Sequence, residues 1–273
     1  MKAKQFFAIT ALGAALFASC SNEEELATGS YPSDNLIRVT AGVNNDVTRG
    51  SEAATALTKD FSLTVVNQTN ANFSYANEIF SLNGTEWSCG KNLLWQNLTT
   101  PVEIVALYPA AANTFSGVYS KENKSYGTIT YGVNSDQSTA NDADDLLLYH
   151  NASFEPAKDL QDGKLNIEFN HAFCRVDIEV TIGSEFKAST GLAVNPIQGI
   201  RVEGTKTTAE IGFSETADPT FTAKGNATNI TPTPGDFTPA ASATEQAVAR
   251  YSCIVIPQTA DLKVLLHTSD KEF

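Results

Sequence analysis

The chain has 273 residues, enough for one large or two ordinary domains, and 42% of them are hydrophobic, so a sizeable core can be buried. Lys and Arg number 18 against 31 Asp and Glu, a net charge of −13. Such a polyanion repels phosphate backbones, which excludes nucleic acid as a partner, and it favours solubility in an aqueous exterior.

Residues 1–19 read as an export signal. Lys2 and Lys4 precede an almost wholly apolar run from Phe6 to Phe17, too short to span a bilayer. Ala18 and Ser19 then stand directly before Cys20. That arrangement departs from an ordinary Ala-x-Ala cleavage site and resembles a bacterial lipobox, in which the cysteine thiol is acylated and becomes the new N-terminus. Phe17 occupies the place usual for leucine, with Leu16 one position earlier. Cys20 is therefore the expected lipid attachment point. Acyl chains contribute ~0.8 kcal/mol per buried CH₂, and more than one chain anchors stably. Residues 20–35 follow as an acidic linker carrying Glu23-Glu24-Glu25, Gly29 and Pro32.

Strict alternation begins next. Ile37, Val39, Ala41 and Val43 share one face, and Arg38, Thr40 and Gly42 the other, the pattern of a half-buried β-strand. Thr48-Arg49-Gly50-Ser51 is a polar loop of small residues, a composition that favours proteolytic nicking. Beyond it the pattern predicts further strands at residues 61–67, 101–107, 127–133, 146–149, 164–170, 174–182, 197–202, 209–213, 250–256 and 262–267, with a bent strand or hairpin around Trp87 and Trp95. The last two strands are expected to pair through residues 257–261. Residues 214–247, rich in Thr, Ala and Pro, read as a long exposed connection. No segment carries a helical apolar period, so the fold class is all-β, built of sandwiches. Glu155-Pro156-Ala157-Lys158-Asp159 divides the strands into two groups, an N-terminal domain over 36–156 and a C-terminal domain over 157–273.

Catalytic chemistry finds little support. His150, His171 and His267 sit in no metal-binding or triad spacing, and His171, between two strands, reads as packed. Ser184 and Lys187 match a bare Ser-x-x-Lys pattern with no companion motifs. Asp142, Asp144 and Asp145 fail the calcium-loop register and read as a solvated acidic loop. Cys89, Cys174 and Cys253 are too few and too scattered for a disulfide framework or a zinc site, and buried free thiols are the simpler expectation. No catalytic, cofactor or metal residue is expected. Trp87 and Trp95 leave open a surface lipoprotein that binds glycan through aromatic platforms, although both lie in strand-like contexts.

Several stretches in order resemble the fimbrillin-like (type V) pilins of Bacteroidia. They are the lipobox, Thr48-Arg49-Gly50, Leu93-Leu94-Trp95 with Ala106-Leu107-Tyr108-Pro109, Asp145-Leu146-Leu147-Leu148-Tyr149, Phe169-x-His171 and Ile200-Arg201-Val202-Glu203-Gly204. The resemblance covers nearly the whole chain. It implies two tandem transthyretin-like β-sandwich domains and a lipoprotein carried to the outer face of the outer membrane, where the acidic run after Cys20 directs similar proteins. It implies an arginine-specific protease that cuts after a loop arginine, releasing the lipid and the first strand. A strand from another pilin subunit then fills the emptied groove. Carried onto this sequence, the cut falls after Arg49, with Arg38 a second choice because it lies within the strand. The segment lost holds Ile37, Val39, Ala41 and Val43. Ile37, Val39 and Val43 should together bury on the order of 5–9 kcal/mol, comparable with a small domain's whole stability. Pilins of this family usually end in further strand material that supplies the donor, whereas here the sequence stops directly after the strand at 262–267. Either the sequence is a fragment, or the subunit accepts a strand without donating one, as would suit a tip. An uncleaved chain would suit a basal anchor.

Overall fold

A computed structural model describes residues 31–44, 57–110, 128–139, 144–183, 186, 191–214 and 218–268. The architecture is all-β, as expected. Seven strands form a closed barrel in the order β1-β4-β3-β2-β5-β7-β8. They are β1 (Val39–Val43), β2 (Phe61–Val66), β3 (Tyr75–Asn83), β4 (Glu86–Cys89), β5 (Val102–Tyr108), β7 (Leu147–Phe154) and β8 (Leu165–His171). β6 (Thr128–Gly132) leaves the barrel and joins β11 (Thr208–Gly212) and β12 (Thr220–Lys224) in a sheet ordered β12-β11-β6. Two further three-stranded sheets complete the molecule. One is β13-β10-β16, made of β13 (Thr228–Ile230), β10 (Ile197–Thr205) and β16 (Lys263–Thr268). The other is β14-β15-β9, made of β14 (Thr233–Thr238), β15 (Ala247–Val255) and β9 (Cys174–Ile182). A single turn of helix, α1 (Pro156–Asp159), starts on Pro156, whose fixed φ suits a first helical position. No helix among the described residues is long and apolar enough to cross a membrane.

Three side-chain clusters hold these sheets. The barrel interior packs Phe61, Leu63, Phe80, Ile104, Ile167 and Phe169. The outer face of β5 and the start of β7 are covered as well. Val105, Leu107 and Leu148 pack with Ile129, Tyr131, Ile211 and Phe213 from the sheet β12-β11-β6. That is why β5 is buried along its whole length and reads as a continuous apolar run rather than an alternating one. A third cluster joins Ile182, Ile200, Ala247 and Ala249 from β9, β10 and β15. Where the chain reverses between β3 and β4, Gly84 takes a φ of +66°, the left-handed conformation a two-residue hairpin turn requires.

Three sequence expectations meet a different arrangement. The boundary expected at residue 156 falls between β7 and β8, which pair with each other inside the barrel. Leu165, Ile167 and Phe169 draw β8 into the barrel core, and Ile129 and Tyr131 draw β6 out of it. The last two predicted strands do not pair with each other: β15 lies between β9 and β14, while β16 lies on β10. Residues 214–247 are not one long connection, because β12, β13 and β14 form there. Thr-rich segments fit a pleated surface well, and Pro234 sits on what is an edge strand among the described residues, where proline is tolerated.

Candidate functional site

The alternation from Ile37 to Val43 is realised. Ile37 and Val39 are 7% and 5% exposed, Ala41 and Val43 are half-buried against the barrel core, and Arg38, Thr40 and Gly42 face solvent. Burial of Ile37 and Val39 alone contributes roughly 3–6 kcal/mol. Val43 adds less than a fully buried valine, which lowers the sequence expectation.

The two edges of this segment are held unequally. On one side β1 runs parallel to β8 through five register pairs, from Val39 opposite Leu165 to Val43 opposite Phe169. Leu165 N–H donates to the Arg38 carbonyl and Asn44 N–H to the Phe169 carbonyl, each at 2.8 Å. Side chains reinforce the seam, with Thr40 Oγ1 donating to Asn166 at 3.0 Å and Asn44 Nδ2 to Asn170 at 3.2 Å. On the other side contact is confined to the first half. Ile37 N–H donates to Leu93, Trp95 N–H donates to Asn35, and Val39 stands opposite Trp87, the only register pair between β1 and β4. From Thr40 to Asn44 the segment has one strand neighbour among the described residues, and a depression of about 330 Å³ opens there beside Asn166 and Glu168.

The Arg38 side chain makes a local ion pair within the same segment. Its guanidinium grips Asp34 through two hydrogen bonds of 2.9 and 2.6 Å, and this contact holds the Asp34 carboxyl well below the usual range, at about 2. Both the side chain and the carbonyl of Arg38 are thus engaged. Arg49 and Cys20 lie outside the described residues.

The family model for fimbrillin-like proteins matches residues 41–273. The chain belongs to the fimbrillin-like family. No curated protein sequence matches it. Among solved structures, a candidate cell adhesion protein from Bacteroides uniformis superposes with a TM-score of 0.52 at 17% identity, over 89% of this chain and 84% of that one. A candidate cell adhesion protein from Bacteroides ovatus gives 0.51 at 16% identity, over 87% and 84%. At these identities the likeness is one of fold.

Elsewhere in this fimbrillin-like chain the sequence candidates fall into structural roles. Trp95 is 2% exposed and stacks on Phe154 at 5.5 Å, so it offers no platform to a sugar. Trp87 is half-buried, its ring edge-on to Phe61 at 4.8 Å. His171 Nδ1 lies 2.9 Å from Asp145, and His150 Nε2 lies 2.8 Å from Glu103, a carboxyl buried on the barrel wall. The expected solvated loop is corrected in part: Asp144 and Asp145 are buried, Asp145 by its partnership with His171 and Asp144 by a hydrogen bond from the Asn134 backbone. Cys89 and Cys174 are half-buried and Cys253 buried, all three as free thiols. Ser184 and Lys187 lie outside the described residues. Among the described residues no three His, Cys, Asp or Glu side chains group to hold a metal ion.

Proposed function

We propose that this chain is a structural subunit of a cell-surface fimbria that contributes to adhesion and assembles by replacing β1 with a strand from another subunit. In this reading Cys20 carries the lipid that tethers the precursor to the outer membrane. An arginine-specific protease cuts after Arg49, and the lipid leaves with residues 20–49. The observation that carries the reading is the asymmetric seat of β1. Its inner side chains complete the barrel core, yet from Thr40 onward it has one strand neighbour among the described residues. A strand held in that way peels from its C-terminal end, the end that leads to Arg49. What it uncovers is an apolar groove and an unpaired β8 edge, which a partner strand refills by main-chain bonding and alternate side-chain pockets. A contact of this head-to-tail kind builds filaments rather than closed dimers. Membership of the fimbrillin-like family supports the reading.

Limited trypsin digestion of the purified precursor tests it. The expected result is a first cut after Arg49, confirmed by mass spectrometry of the new N-terminus, followed by ladders of polymer on gels run without boiling. The Arg49→Ala chain should stay monomeric. Cleavage at Arg49 with no polymer at any concentration would refute strand replacement, and an intact Cys20-lipidated N-terminus on surface filaments would refute release.

A further inference from the structure

Away from the β1 seam, a groove of about 750 Å³ crosses the face of the sheet β14-β15-β9 on which Asp177, Glu179 and Arg250 stand. Ligand pockets commonly measure roughly 300–1,000 Å³. The cations already in it are committed. Arg175 Nε donates to Asp177 at 2.7 Å, and Arg250 donates to Glu179 at 3.1 Å and to Thr238 at 3.1 Å. On the end wall, Asp145 is partnered by His171. Asp144 beside it is not balanced in the same way. It is 2% exposed, its Oδ1 accepts the Asn134 N–H, and its Oδ2 is buried with no hydrogen-bond partner among the described residues. The side-chain amide of Gln137, which also lines the groove, is occupied. Gln137 donates to the Ile254 carbonyl at 2.9 Å and accepts the Ile254 N–H at 2.7 Å. A buried carboxylate oxygen left without a partner carries an uncompensated desolvation cost.

We propose that this groove binds an organic cation, an ammonium or guanidinium group of the kind that lysine and arginine side chains carry, with Asp144 as the anchoring carboxylate. The charge balance of the lining agrees. With Asp236 on the β14 side, carboxylates outnumber the two guanidiniums, and both guanidiniums are spent on carboxylates already present. A metal ion needs several ligands converging on one point, and the described residues group no such set. A cationic head needs one well-held carboxylate and room; Asp144 lines the groove, and its Oδ2 is covered in this structure, so the ligand reaches it as the side chain turns toward the groove.

Titration of the full chain with acetyl-arginine amide and acetyl-lysine amide at low ionic strength, followed by amide nitrogen–proton spectra, tests the site. Saturable shifts are expected at Asn134, Asp144 and Ser252. Affinity should fall roughly tenfold in Asp144→Asn, which keeps an oxygen for the Asn134 N–H, and about twofold in Asp236→Asn. Ser252→Lys, which supplies an ammonium from the groove floor, should abolish binding without touching Asp144, and it decides the matter if the Asp144 variant does not fold. No saturable shift, shifts confined to other residues, or unchanged affinity in Ser252→Lys overturns the proposal. Tighter binding of calcium than of either amide at these same positions overturns it as well.

Discussion

In the barrel every strand has two neighbours. In the sheets beyond it β6, β9, β12, β13, β14 and β16 have one each among the described residues. The two regions also guard their margins differently. The barrel's closure is thinnest between β1 and β4, at the single pair of Val39 and Trp87, whereas β7 and β8 share two pairs. The outer sheets spread their edges over short or charged strands, β9 carrying Arg175, Asp177 and Glu179 and β16 carrying Lys263 next to the half-exposed Leu262 and Val264. Charged edges of this sort discourage unwanted pairing. One region therefore concentrates its exposure to strand exchange in β1, whereas the other dilutes it. Side chains buried at the barrel seam should be costly to alter, and those exposed on the outer edges cheap.

The largest contrast is a charge placed at Val39 or at Val264. Val39 is 5% exposed and Val264 43%. Val39→Asp should cost about 4 kcal/mol or prevent folding, while Val264→Asp should stay within about 1 kcal/mol in urea titrations. Equal effects would erase the distinction between the barrel seam and the exposed outer edge. Next in size, Trp95→Ala should cost about 3–5 kcal/mol and Trp87→Ala about 1–2 kcal/mol, since only the former empties a fully buried site. Hydrogen exchange sharpens the picture within the barrel. The Asn44 amide, bonded to Phe169 at the open half of the seam, should exchange at least about tenfold faster than the amides of Val105 and Ala106 in the doubly buried β5.

The smallest effect is electrostatic. Burial pushes the Cys253 thiol from an ordinary 9.0 up to about 11. The protonated thiol is the neutral form, so the folded chain holds this proton more tightly than the unfolded one. Its contribution to stability is complete below pH 9 and is lost as pH rises toward 11. Denaturant midpoints should fall over that interval, and Cys253→Ala should flatten the decline. The same burial makes alkylation of Cys253 slower than that of Cys89 in the barrel hairpin.

Local pattern carried the individual strands. Ile37, Val39, Ala41 and Val43 share a face in the fold as they do in the alternation, and the runs at 102–108, 174–182 and 197–205 are strands. The partners were not legible. Nothing in residues 37–43 says that they lie parallel to β8, because pairing depends on which edge the rest of the chain leaves open. β6 and β8 exchange regions for the same reason: their apolar faces suit either core, and only the assembled sheets choose. Composition misled at β12–β14, where Thr, Ala and Pro suggested loop, and at Asp144 and Asp145, whose burial depends on Asn134 and His171, respectively 10 and 26 residues distant. The lipid and cleavage positions read from sequence, Cys20 and Arg49, belong to segments the fold does not describe.

The wandering of β6 and β8 has a mechanical consequence. The polypeptide passes from the barrel to the outer sheets before β6, back again before β7, and out once more before β9. Three covalent crossings tie the two bodies, and their shared cluster around Leu107, Ile129 and Phe213 fills the space between. A pull on one body should therefore have to break this shared core, so the subunit should yield to tension as one unit.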